Sequence, residues 1–186
     1  LRAILRQCKV LLEELGYPTL PMFRGGAGIL EDHVLDALVS EGFTVDTSVI
    51  PSQLWRESHG APAQMGKRVR EVWGALDDFA QPRWHDTPSG KLLVIPTPPG
   101  LSDYASSAEY IHYIDEAARR LSKAPSRNQY IHLGFHQENA DMVGEVDGQS
   151  FRKRIQDAVQ HLQTRYPQLT AFERMSTVAR RLGANI

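Results

Sequence analysis

The sequence predicts an α/β fold in which a parallel sheet or barrel is covered by helices. Segments of helical periodicity alternate with short apolar runs along most of the 186 residues. The run at 91–96 is continuously apolar, which is typical of a strand buried on both faces. About four or five strand–helix units can be distinguished, fewer than a closed barrel needs. The predicted fold class is therefore α/β, barrel-like and incomplete.

The N-terminal part of the chain is predicted to form two helices, each followed by a strand. Apolar residues recur at helical spacing over 1–15 and again over 31–41. A short strand ends near Arg24, before a glycine-rich turn, and a second strand covers 43–50. Gly42 stands where the second helix is expected to stop.

The rest of the chain repeats this alternation. The stretch 52–90 is predicted to be a loop that includes a possible helix. That possible helix covers 66–79. After it, the predicted elements are a strand over 91–96, a helix over 108–122, a strand over 130–136, a helix over 151–162, a short strand over 168–171 and a helix over 172–182.

Composition excludes several classes of function. The 21 basic and 22 acidic residues leave a formal charge of −1, which gives no general attraction to nucleic acid or to anionic membranes. The basic clusters at 67–70 and 152–154 are interpreted as solvated helix faces. No apolar run is long enough for a membrane span. The single cysteine, Cys8, excludes an internal disulfide and is predicted to be buried on the apolar stripe of the first helix.

Three side chains at the ends of predicted strands are candidates for chemistry. His136 could act as a general acid or base, or be a hydrogen-bonded structural histidine. The guanidinium of Arg24 could hold a carboxylate, or Arg24 could be a surface residue beside a turn. Asp46 could orient a catalytic group, or cap the turn that follows it.

Other familiar sites are not predicted. His132 and His136 have the spacing of zinc ligands on a helix, but on a strand these positions lie about 13 Å apart, too far for one ion. The glycines at 25–28 lack the spacing of a phosphate or dinucleotide loop. There is no Gly-x-Ser-x-Gly nucleophile motif.

Four motifs, in their order and spacing, resemble the later motifs of the polysaccharide deacetylases, carbohydrate esterase family 4 of the chitooligosaccharide-deacetylase type. They are FRGGAG at 23–28, FTVDTSVIP at 43–51, KLLVIP at 91–96 and IHLGFH at 131–136. The resemblance implies a distorted (β/α) barrel that hydrolyses N-acetyl or O-acetyl groups on a polysaccharide or oligosaccharide. It also implies a divalent metal, usually zinc, held by one aspartate and two histidines.

The resemblance assigns roles to the candidate residues and shows where this chain departs from the family. His136 would be the acid that protonates the leaving amine, and Arg24 would orient the catalytic aspartate. Asp46 matches the first half of the family's Asp-x-x-Asp-Trp motif, but Val49 and Ile50 replace the aspartate that would orient the histidine and the tryptophan. No aspartate or histidine precedes Arg24, so the usual metal ligands are not in this chain.

Two interpretations follow, and a third stays open. The apolar stripe already runs at Leu1, which suggests that 1–186 is a single domain and the C-terminal part of a longer deacetylase-like barrel. The alternative is a deacetylase-like domain without catalysis that binds glycan or a partner protein. An unrelated α/β domain with chance matches is the third. Because a partial barrel exposes strand edges, self-association is also expected.

Overall fold

The structure is a computed structural model in which the chain forms two compact units. It describes residues 1–17, 19–26, 31–50, 67, 71, 76–125, 128–145 and 147–186. The first unit comprises Leu1–Val49, Pro82–Pro96 and Glu173–Ile186, and the second comprises Ile50–Gln81 and Thr97–Phe172. Both units contain buried apolar residues.

The first unit combines helices with all the described strands, and the described part of the second unit is helical with long connections. The first unit contains α1 (Arg2–Glu14), β1 (Met22–Phe23), α2 (Asp32–Ser40), β2 (Val45–Asp46), β3 (Arg83–Thr87), β4 (Gly90–Val94) and α5 (Met175–Arg181). The second unit contains α3 (Ser107–Lys123), a 3-10 helix (Gln137–Asn139) and α4 (Phe151–Arg165). The predicted α/β class is confirmed.

The described strands form one sheet with the order β1-β2-β4-β3. Strands β1, β2 and β4 are parallel, whereas β3 runs antiparallel to β4 as the other arm of a hairpin. The parallel part is as predicted, but β3 lies in the stretch predicted to be a loop, and that prediction was wrong. In the register of the sheet, Phe23, Asp46, Val94 and Arg83 form one row across the four strands. Side chains of such a row emerge on one face of the sheet.

Helix α2 has the predicted bounds to within one residue at each end. Its residues Leu35 and Leu38 are buried, and the helix packs against β4. Gly42 follows with a φ of +82°, a left-handed conformation that glycine adopts without steric cost. This turn leads the chain directly into β2.

Helix α1 forms as predicted, but most of its apolar stripe is not covered by the described residues. Leu5 is buried. Other members of the stripe are exposed, namely Leu1, Ile4, Leu11, Leu12 and Leu15. Cys8 is also exposed, so its predicted burial was wrong. Periodicity indicates that a helix has an apolar face, and does not indicate what lies against that face.

The second unit is built on the packing of α3 against α4. Its core cluster contains Ala105, Tyr110, Ile114, Ala158 and Leu162, with Ile131, Leu133, Ile155 and Tyr166 packed against it. The hydroxyl of Tyr110 donates to the carbonyl of Gly100 at 2.9 Å, which satisfies the polar atom of a fully buried side chain. This core supports the loop that runs from β4 to α3.

The segment 130–136, predicted as a strand, forms no regular strand. Its main chain instead bonds to the loop that follows β4. The amide of His132 donates to the carbonyl of Pro98 at 2.7 Å, and the amide of Ser102 donates to the carbonyl of Gly134 at 2.8 Å. The segment therefore lies beside this loop, and His136 at its end precedes the 3-10 helix.

The remaining predicted elements have mixed outcomes. Helices α3, α4 and α5 occur where they are predicted. The predicted helix over 66–79 falls mostly outside the described residues; of those described, 67 and 71 are helical and 78–79 lie in a turn. The short strand predicted over 168–171 is absent from that described stretch. No described helix combines the length and the apolar character that crossing a membrane requires.

The start of α3 gives a prediction for stability. Ser106 and Glu109 form a capping box, in which Ser106 Oγ accepts from the Glu109 amide and Glu109 Oε2 accepts from the Ser106 amide. We expect Ser106→Ala to lower the free energy of unfolding by about 1 kcal/mol. Urea denaturation measures this, with Ser122→Ala near the other end of α3 as the matched control. An equal loss in both variants would contradict the role of the cap.

Candidate functional site

The carboxylate of Asp103 holds the imidazole of His136. His136 Nδ1 lies 2.7 Å from Asp103 Oδ1, and the His136 amide donates to Asp103 Oδ2 at 3.1 Å. Asn139 Nδ2 donates to the same carboxylate at 3.3 Å. Because an ionised carboxylate can only accept hydrogen bonds, Nδ1 of His136 carries the proton that lies between the two side chains.

Burial differs sharply between the two members of the pair. The Asp103 side chain is 6% exposed, whereas the His136 side chain is 44% exposed. Tyr104 approaches the imidazole edge-on, with 6.4 Å between ring centroids. Among the described residues, no hydrogen bond involves His136 Nε2, which can therefore exchange a proton with a bound molecule. An aspartate fixed behind a half-exposed histidine is suited to general acid or base chemistry.

A cavity of about 540 Å³ is lined by the sequence neighbours of His136, although neither His136 nor Asp103 belongs to its lining. Its walls include the residues on either side of His136, and they combine aromatic, amide, carboxylate and guanidinium groups. The lining residues are Phe135, Gln137, Glu138, Ala140, Asp141, Met142 and Arg152. Arg152 Nη2 donates to Asp141 Oδ2 at 2.8 Å on this wall. The volume falls within the range of cavities that bind small molecules.

The second group of candidate residues lies in the first unit, where β1 and β2 end. Arg24 Nη1 donates to the Thr47 carbonyl at 3.0 Å, and the Gly25 amide donates to Ser48 Oγ at 2.7 Å. Asp46 Oδ1 accepts from both the amide and the hydroxyl of Ser48. Asp46 therefore caps the turn that follows it, one of the two roles left open by the sequence.

The carboxyl of Asp46 is fully buried, and burial raises its pKa from 3.8 to about 6. Hydrogen bonds from Ser48 and the positive charge of Arg24 oppose the shift without cancelling it. Asp46 Oδ2 is buried without a hydrogen-bond partner in the described part of the chain. This carboxyl therefore takes up a proton at a pH where an exposed aspartate is ionised.

Two guanidinium groups lie within electrostatic range of Asp46. Partial burial lowers the pKa of Arg24 and of Arg83, and the charge of Asp46 opposes the shift in both. Arg24 as a whole nevertheless remains exposed to solvent. Arg83 lies in the same row of the sheet as Asp46, with Val94 between them. The surroundings of Asp46 are therefore basic.

These surroundings do not suit the zinc that the resemblance implies. Within the ranges that the structure describes, no three histidine, cysteine, aspartate or glutamate side chains are close enough together to hold an ion. Asp46 has arginines rather than imidazoles near it, and Asp103 is taken up by His136 and Asn139. The described residues therefore do not fit the family's metal.

The candidate residues lie in two different units of the structure. Arg24 and Asp46 lie together in the first unit, and His136 lies in the second. Asp103 was missed because the sequence marks the loop after β4 only as a connection. A signal was present, since this loop follows a buried strand whose carboxyl end is aligned with that of β2. Polar residues after such strands were the basis for choosing the other candidates.

Comparisons with known proteins leave the family open. No protein-family model, no curated protein and no solved structure matches the chain. The resemblance to the polysaccharide deacetylases therefore rests on the four sequence motifs.

Proposed function

We propose that this chain takes part in the hydrolysis of acetyl groups on a polysaccharide, as a protein of the polysaccharide deacetylase type. The single observation that supports this most is the pair formed by Asp103 and His136. The sequence motifs place the general acid of such an enzyme at His136, and they lack the usual aspartate that orients it. Asp103 is in hydrogen-bond contact with that imidazole and supplies the missing carboxylate.

The pair suits the step in which an N-acetyl group leaves the sugar. Water adds its oxygen to the acetyl carbon, the carbon–nitrogen bond breaks, and acetate departs. Of the two protons that water gives up, one replaces the proton donated by His136 and the other converts the amine into an ammonium ion. The sugar nitrogen would be a poor leaving group as an anion, so it must receive a proton as the bond breaks. Protonated His136 can give that proton from Nε2 while Asp103 stabilises the ring through Nδ1.

The cavity beside His136 supports a sugar as the substrate. Phe135 and Met142 offer apolar surface for the face of a sugar ring. Gln137, Glu138 and Asp141 offer groups that bond hydroxyls, and all belong to the cavity wall. The chemistry of the wall fits a neutral, hydroxyl-rich molecule better than a purely apolar one.

The finer fold and the roles of the first unit are part of the same proposal. A distorted, incomplete (β/α) barrel is supported by the parallel order of β1, β2 and β4 with α2 as the crossover between the first two. Arg24 would orient a catalytic carboxylate, and Asp46 would fix the turn beside it through Ser48. Any zinc would need ligands other than those that the described residues bring together.

The absence of a metal-ligand cluster from the described residues favours a second candidate function. In this alternative, the domain binds glycan without hydrolysing it. The cavity beside His136 would serve equally well for binding. Catalysis and binding predict different results with the same ligand.

The test is acetate release from N-acetylated chito-oligosaccharides and from an O-acetylated xylan. We expect acetate to appear, and parallel assays with added zinc and with EDTA measure whether its release depends on a metal. Release that stops with EDTA would mean that the metal ligands lie outside the residues that the structure describes. Titration calorimetry with the same sugars measures binding. Binding without acetate would support the non-catalytic alternative, and neither binding nor acetate would overturn both.

A further inference from the structure

Arg154 of α4 is a buried charged side chain in the second unit. It is 3% exposed, and its guanidinium lies 5.1 Å from the ring centroid of Phe151. Arg154 Nε and Nη2 donate to Asp147 Oδ1 at 3.2 and 2.7 Å. Burial alone would raise the pKa of Asp147, but hydrogen bonds from Arg154, Gln149 and Ser107 lower it. Burying such an ion pair costs free energy, because both charged groups lose their contacts with water. The pair is therefore a candidate for a role other than stabilising the fold.

The remaining donor of Arg154 points at the turn that carries Asp103. Arg154 Nη1 donates to the carbonyl of Ser102 at 2.6 Å and to the carbonyl of Ala105 at 3.4 Å. These two carbonyls flank Asp103 in the sequence. The amide of Ser102 is also bonded to the carbonyl of Gly134, two residues before His136. The turn is therefore attached to α4 on one side and to the histidine segment on the other.

The space around the guanidinium fixes its position. A Cβ atom added to Gly144 would lie 1.6 Å from Arg154 Nη2 and 2.5 Å from Arg154 Cζ. Only glycine at 144 leaves room for the guanidinium where it lies. Arg154 thus has a defined place between the main chain of Gly144, the carboxylate of Asp147 and the Asp103 turn.

We propose that Arg154 is a positioning residue that holds the carboxylate of Asp103 in place behind His136. It acts through the main chain, because its contacts are with the carbonyls on either side of Asp103 rather than with the carboxylate itself. In the wild-type protein, this attachment keeps the Nδ1 proton of His136 on the side of Asp103 and leaves Nε2 pointing away from it. The inference rests on the proposed function only for its catalytic consequence.

The test uses Arg154→Lys and Gly144→Ala, with the ¹⁵N chemical shifts of the His136 ring as readout. Lysine keeps the charge but cannot bond both Asp147 and the two carbonyls in the same way. Alanine at 144 displaces the guanidinium while Arg154 is retained. In the wild-type protein at a pH where the ring is neutral, we expect the Nδ1–H tautomer. In both variants we expect a mixture of tautomers, shifted towards the spectrum of Asp103→Asn.

The control is Arg119→Lys, an exposed arginine of α3 paired with Glu116, which should leave the His136 spectrum unchanged. If Arg154→Lys or Gly144→Ala fails to fold, the other variant decides. A wild-type spectrum in the folded variants would overturn the proposal. Where acetate release is measurable, kcat should fall about 10- to 100-fold with a smaller change in KM. Altered tautomers without any wild-type acetate release would uphold the positioning role and reject the proposed function.

Discussion

Replacing His136 by asparagine is expected to reduce acetate release by about 10²- to 10⁴-fold, the range contributed by a well-placed general acid. Asparagine is close in size to part of the imidazole and can still donate a hydrogen bond to Asp103, but it cannot deliver a proton. Binding of the sugar should change much less, since the cavity wall is formed by the residues around His136. Initial rates of acetate release and calorimetric binding constants measure the two effects separately.

Asp103→Asn should show a similar but smaller loss, because the ring remains and only its tautomer is disturbed. The second unit offers a matched control in His161, whose Nε2 lies 2.7 Å from Asp115 Oδ1. His161→Asn removes an equivalent aspartate-paired histidine away from the cavity lining. Full activity in His136→Asn, or an equal loss in His161→Asn, would refute the assignment of the acid.

Asp46→Asn is expected to stabilise the folded protein at neutral pH by about 3 kcal/mol, from a pKa raised to about 6. The wild-type carboxyl holds its proton more tightly in the folded state than in the unfolded chain. The contribution of this carboxyl to stability is therefore largest below the unfolded pKa of 3.8, is lost as pH rises through about 6, and is absent above that. Asparagine mimics the protonated acid and can still accept from Ser48, so it avoids this loss.

Denaturation with guanidinium chloride at pH 4 and at pH 7.5 measures the free energy of unfolding of both proteins. The two proteins should be similar in stability at the lower pH and differ at the higher one. Asp86→Asn, at an exposed carboxyl on β3, is the control and should change stability by less than about 0.5 kcal/mol. A difference between Asp46→Asn and wild type that does not depend on pH would contradict the buried-carboxyl account.

The helices could be predicted from sequence because their apolar spacing is strong and local. Helices α2, α3 and α4 each bury a face that repeats every three to four residues. The sequence could not show that most of the α1 stripe lacks a covering element in the described structure. The partner of a face is set by tertiary packing, which periodicity does not encode.

The hairpin and the aspartate of the site were missed for physical reasons. Strand β3 is polar and alternates between partly buried and exposed residues, so it lacks the apolar run that identified β4. The segment 130–136 has strand-like composition, but its main chain bonds a loop instead of a sheet edge. Asp103 and His136 are 33 residues apart in the sequence. They meet because the segment 130–136 lies beside the loop that carries Asp103.

The fit between Gly144 and Arg154 has a consequence for sequence variation. With arginine at 154, a side chain at 144 requires the guanidinium to move, since a Cβ there would overlap it where it lies. A substitution at residue 144 therefore disturbs the contacts of Arg154 least when residue 154 changes before it or together with it. In sequences descended from a common ancestor with this chain, we expect substitutions at the two positions to occur jointly, although ten residues separate them.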